Sequence, residues 1–157
     1  RKDMAAGVCV QFFDAYLIAG VEHLHFAVVN ALNAFKGKVN ISGNVAMETL
    51  LYASAKRQIK EAVKSMGIKS TTSRIAVLVL AESSDHVSKA LRIVSGLLGG
   101  KRDDTVTDLT DAKMERLMKF FNISKTELGT RTQHQRMEKE ALTDLVIEHM
   151  ALLVTQR

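Results

Sequence analysis

The chain has no proline and no tryptophan, a single cysteine, and only two tyrosines and six phenylalanines among its 157 residues. Without proline or a low-complexity stretch nothing marks a linker, and glycine alone punctuates the chain. Residues 1–157 are therefore read as one domain, long enough to bury one core without staples. The lone Cys9 has no partner for an internal disulfide. Its setting in the alternating run Gly7 to Phe13 predicts a small hydrophobe on a strand. The longest apolar runs, Ile75 to Ala81 and Ala151 to Val154, fall far short of the roughly 18 to 20 residues that cross a bilayer. No membrane span is expected, and no basic and apolar leader with a cleavage site is visible, so the expected address is cytoplasmic.

Signatures of chemistry are equally scarce. Neither a phosphate loop nor the dinucleotide pattern of spaced glycines occurs, so no nucleotide cofactor is expected. His23 and His25 stand about 200° apart on a helix and cannot share a metal; one is expected on the surface and one in the core. His86, His134 and His149 have no His or Cys partner at ligand spacing, and no Ser or Cys sits in a nucleophile elbow. The expectation is no catalytic residue, no metal and no enzyme.

The apolar periodicity that is present predicts a mixed fold. Gly7 to Phe13 and Leu17 to Ala19 read as strands, and Leu24, Val28, Ala31, Leu32 and Phe35 mark a helix. One long helix capped by Asn44 is expected to run through Met47, Leu50, Leu51, Ala55, Ile59, Ala62 and Met66 to a stop at Gly67. Ile75 to Ala81 reads as a strand buried on both faces. A helix capped by Ser83 or Ser84 then runs to Gly99 and Gly100, and a further strand is expected over Thr105 to Leu109. Asp111 caps a helix, and a last one runs from about Gln133 to Val154. The expected fold is α+β, mixed α/β: a small central sheet of about four or five strands packed with about five to eight helices.

The formal charge of +5 is concentrated. Between Lys36 and Arg74 lie eight basic residues against Glu48 and Glu61, a local excess of +6. On one continuous helix Lys56, Lys60 and Lys64 would form a single row with Tyr52 one turn earlier, a phosphate track beside an aromatic that stacks on an unpaired base. The plain alternative is a solvated face that serves solubility. In the final helix, Leu142, Leu145, Val146, Leu152 and Leu153 suit the core, whereas Ile147, Met150, Ala151 and Val154 form a second apolar stripe. That stripe needs either a partner or the chain's own strands as cover.

Several runs are specific. Phe13-Asp14-Ala15 to Ile18-Ala19-Gly20, then Glu22-His23-Leu24, then Glu48-Thr49-Leu50-Leu51-Tyr52-Ala53-Ser54 leading into Arg57-Gln58-Ile59-Lys60-Glu61-Ala62 and Met66-Gly67-Ile68, and later Leu98-Gly99-Gly100 with Asp103-Asp104, resemble the kinase-binding subunit of the KEOPS complex, the TPRKB-like family. One departure is Ala55, where that family usually has Gly.

The resemblance implies a central sheet, no catalytic activity, tight binding to the small atypical kinase/ATPase subunit, and support of threonylcarbamoyl-adenosine formation in tRNA. It also implies tRNA binding at the single-stranded 3′ CCA end. Carried onto this sequence, the RNA-facing residues are Ser54, Lys56, Arg57, Gln58, Lys60 and Lys64, and the partner-facing ones Ile147, Met150, Ala151 and Val154. Two other readings stand beside this one. They are a pure protein adaptor without RNA binding, and an enzyme built on Cys9 or a histidine, which needs a pocket that unites at least two such groups.

Overall fold

The structure, a computed structural model, describes residues 7–132 and 137–153. Among these, seven α-helices surround a two-stranded antiparallel sheet. Strand β1 (Cys9–Asp14) pairs with β2 (Ile75–Leu80), Cys9 opposite Leu80 and Asp14 opposite Ile75, and the Ala15 N–H extends the ladder to the Arg74 carbonyl at 3.0 Å. Helices α1 (Val21–Lys36), α2 (Val45–Ser54) and α3 (Ile59–Met66) fill the crossover between the strands. After β2 come α4 (Ser84–Leu98), α5 (Asp111–Phe120), α6 (Lys125–Thr132) and α7 (Glu138–Ala151). None of the described helices is long and apolar enough to cross a membrane.

The four or five strands expected from the sequence reduce to these two. Residues 17–19 are no strand, because the chain turns at Asp14: its Oδ1 accepts the Tyr16 N–H at 3.1 Å and opens a 3-10 turn over Ala15–Leu17. The Thr105 to Leu109 strand is likewise replaced by a 3-10 turn over Asp104–Thr107. There Asp103 accepts both the backbone N–H and the hydroxyl of Thr105, bonds that hold its carboxyl below the usual range. In both places a local side-chain bond outcompetes a ladder too short to form. Strand β2 has one partner strand among the described residues, and most of its side chains are half-buried rather than enclosed on both faces.

Helix α2 is the centre of the molecule. It packs on α1, α3, α7 and β1, and eight of its ten residues are buried. A helix covered on all sides is apolar all round, and the charged exception is instructive. Glu48, 0% exposed, turns its carboxylate back to the N–H groups of Ile41 and Ser42, at 3.1 and 2.8 Å, and so ties down the loop before the helix. Asn44 caps α2 through the Met47 N–H and Ser83 caps α4 through the His86 N–H, both as expected, and Gly99 closes α4 in the left-handed region. Thr110, one residue before the expected Asp111, holds the cap position of α5.

The carboxy-terminal segment is a helical pair, α6 against α7, and the expected start at Gln133 lies outside the described residues. The core face of α7 carries Leu142, Val146 and Met150, spaced one turn apart, and Leu153 just past its end continues the line. Met150 thus belongs beneath the helix with 0% exposure, whereas Leu152, expected in the core, stands 52% exposed.

A basic corner and the end of the last helix

The expected single helix from Asn44 to Gly67 is broken. The break lies at Ala55, which adopts φ 53° and ψ 34°. The Ala55 N–H donates to the Tyr52 carbonyl at 2.9 Å and the Lys56 N–H to the Leu51 carbonyl at 3.1 Å. This pair of bonds is the glycine-type helix stop, made here with alanine. It accounts for the position where the resembling family carries Gly, because a left-handed residue bears a Cβ only with strain. Sequence reasoning missed the break because alanine is the best helix former and the apolar stripe continues on both sides of it.

The corner redistributes the candidate RNA residues. Lys60 and Lys64 stay one turn apart on α3, exposed, while Lys56 leaves the row and lies in the linking loop. There its Nζ sits 5.4 Å from the centroid of the Phe120 ring on α5, a cation–π contact. Arg57 and Gln58 are exposed at the corner, Gln58 at the cap position of α3. Two members expected at the surface lie inside: Tyr52 and Ser54 are each 1% exposed, and the Ser54 hydroxyl donates to the Leu51 carbonyl at 3.2 Å. Tyr52 is therefore a core residue of α2, not a platform for a base. The loop after α2 and the helix α3 leave Arg57, Gln58, Lys60 and Lys64 exposed and Lys56 half-buried, with Ser54 buried at the end of α2.

The surface is more basic than the sequence count. Of the two carboxylates between Lys36 and Arg74, Glu48 is buried and committed to backbone N–H groups, so only Glu61 faces solvent against the eight cations. Such a surface attracts polyanions.

The histidine pair divides as expected, His25 exposed and His23 buried. His23 Nδ1 accepts the Ala19 N–H at 3.0 Å, which fixes the proton on Nε2, and Nε2 donates to the Ala53 carbonyl at 2.9 Å. Burial above all, opposed by the Ala53 bond and reinforced by the nearby Lys113 charge, lowers its pKa to about 4. Both ring nitrogens are committed, Nδ1 to the turn before α1 and Nε2 to stitching α1 to α2. No three described His, Cys, Asp or Glu side chains gather at metal-binding distance.

At the other candidate surface, α7 exposes Ala151 and Leu152, with Ile147 half-buried against the core and Met150 beneath. Val154 lies outside the described residues.

The comparisons with known proteins agree on one family. The profile of the family described as "Kinase binding protein CGI-121" matches residues 2–153. "Regulatory protein Cgi121" of Methanocaldococcus jannaschii is 31% identical over 117 residues, which cover 74% of this chain and 72% of that protein. With nearly the whole chain inside the family profile, the protein belongs to the CGI-121 kinase-binding family.

Proposed function

We propose that this protein is a non-catalytic, cytoplasmic regulatory subunit of a KEOPS-type assembly, which binds the small atypical kinase/ATPase subunit and supports threonylcarbamoyl-adenosine formation in tRNA. Family membership across residues 2–153 carries the kinase-binding half of the reading. The end of α7, with Ala151 and Leu152 exposed and Ile147 half-buried, supplies apolar area for that partner, and Met150 supports it from below. The basic corner supports the RNA half. Lys56, Arg57, Gln58, Lys60 and Lys64 offer four cations and an amide to phosphates and base edges of the single-stranded 3′ CCA end.

Two titrations test the halves separately. Calorimetry with the purified kinase subunit is expected to give a stoichiometric complex. Anisotropy with intact and CCA-trimmed tRNA across a salt series is expected to show binding lost on trimming and weakened by Arg57→Glu, with a slope of roughly −0.7 per phosphate contact. Kinase binding without RNA binding would establish the adaptor reading, which the burial of Tyr52 and Ser54 favours.

A further inference from the structure

A second basic site lies one helical turn from the corner. Beside Phe120, the ring that carries Lys56, helix α5 presents Arg116, whose guanidinium carbon stands 4.7 Å from the centroid of the Tyr16 ring; that of Arg74 stands 5.8 Å from the same centroid. Between Tyr16 and the turn after α3 opens a cavity of about 380 Å³, lined by Asp14, Tyr16, Arg116, Lys69 and the hydroxyl-bearing residues 71–73. The turn is preorganised: the Lys69 N–H donates to Thr72 Oγ1 at 2.8 Å, and the Thr72 N–H returns to the Lys69 carbonyl at 3.0 Å.

The cavity's charges act on neighbours only at longer range, Arg74 on Asp103 and Asp14 on Lys113. Among the described residues no carboxylate lies within ion-pair distance of Arg116, Arg74 or Lys69. A guanidinium placed over a ring keeps its N–H fork for a planar or tetrahedral anion. The single lining carboxylate, Asp14, is half used: Oδ1 accepts the Tyr16 N–H, and Oδ2 has no donor among the described residues. Two lining cations with a third beside them outweigh that one negative charge, while a free carboxylate oxygen accepts from a sugar hydroxyl. The volume lies in the range of small-ligand sites and exceeds what inorganic phosphate needs.

We infer that this pocket takes one ribonucleotide unit of a single-stranded RNA, its phosphate on Arg116 and Lys69 and its ribose 2′-OH on Asp14. The inference rests on the RNA half of the proposed function and extends the RNA footprint across α5. It adds a group that tells RNA from DNA, since only RNA carries the hydroxyl.

The test uses the whole chain, a short single-stranded RNA, its all-2′-deoxy counterpart and AMP as probes. Arg116→Gln and Lys69→Gln, both at exposed positions, are each expected to weaken RNA binding by about tenfold and to reduce the salt slope by about 0.7, with unchanged thermal melts. Asp14→Asn keeps the Oδ1 acceptor for Tyr16 but turns the free oxygen into a donor. It is expected to erase a preference for RNA over DNA of roughly fivefold. Wild-type affinity and slope in both glutamine variants, while Arg57→Glu is impaired, would overturn the pocket and leave the proposed function intact. No RNA binding by the wild type would overturn both. AMP bound as tightly as the RNA would assign the pocket to a free nucleotide and overturn the strand assignment.

Discussion

Acidification should loosen this fold through one residue. His23 is neutral in the folded state, with its pKa lowered from 6.5 to about 4 by burial. In the unfolded chain it titrates near 6.5. The unfolded state therefore binds the proton first. Above pH 6.5 the contribution of His23 to stability is at its full value; it falls as the pH drops from 6.5 towards 4 and levels off below. At about 1.4 kcal/mol per pH unit, that window costs roughly 3 kcal/mol, a large part of the 5 to 15 kcal/mol typical of a domain. The structural origin is specific: protonation removes the Nδ1 acceptor from the Ala19 N–H and places a charge against Phe121, whose ring meets that of His23 edge-on at 5.8 Å. Urea unfolding at a series of pH values is the assay, with His23→Gln as reference, so that other titrating groups cancel in the difference. The wild type is expected to lose stability between pH 6.5 and 4 relative to the variant. Parallel curves for the two proteins would refute the reasoning.

Two further outcomes follow from named residues. Ala55→Gly relieves a left-handed Cβ at some cost in unfolded-chain entropy; a net gain of about 0.5 to 1 kcal/mol is expected, read as a rise in Tm of about 2 °C, and a lower Tm would contradict the strain assigned here. Met150→Asp buries a charge and should cost more than about 3 kcal/mol, unfolding the protein, whereas Leu152→Asp should keep the melt and weaken kinase binding. If Met150→Asp melted like the wild type, the burial of that side chain would be wrong. Unchanged kinase affinity in Leu152→Asp would move the interface elsewhere.

Helix caps and the strand at Ile75 were readable because each rests on residues adjacent in sequence: Asn44 and Ser83 make their bonds within three positions. The 3-10 turns were not, because Asp14 and Asp103 decide them by bonds that strand-like apolar or β-branched neighbours conceal, Phe12 and Phe13 with Tyr16 to Ile18 at one and Thr105 to Thr107 at the other. The apolar pattern gave α7 two apolar stripes, but its choice of core face depends on which helices lie against it. Spacing alone set Met150 and Leu152 the wrong way round. The candidate RNA site was legible in composition and not in geometry. Lys56, Arg57, Lys60 and Lys64 are exposed or nearly so, as their charge dictates, yet one alanine dihedral decides that they do not share a helix. Arg116 and Tyr16 were invisible, since they lie 100 residues apart and meet only after folding.

That dihedral also sets the reach of the basic surface. Three lysines along an unbroken helix would span about 12 Å in a straight line and could be prolonged indefinitely along a polymer. Bent at Ala55, the chain keeps Lys60 and Lys64 in line on α3 and takes Lys56 out of it, so the charges form a short, compact patch in place of a straight track.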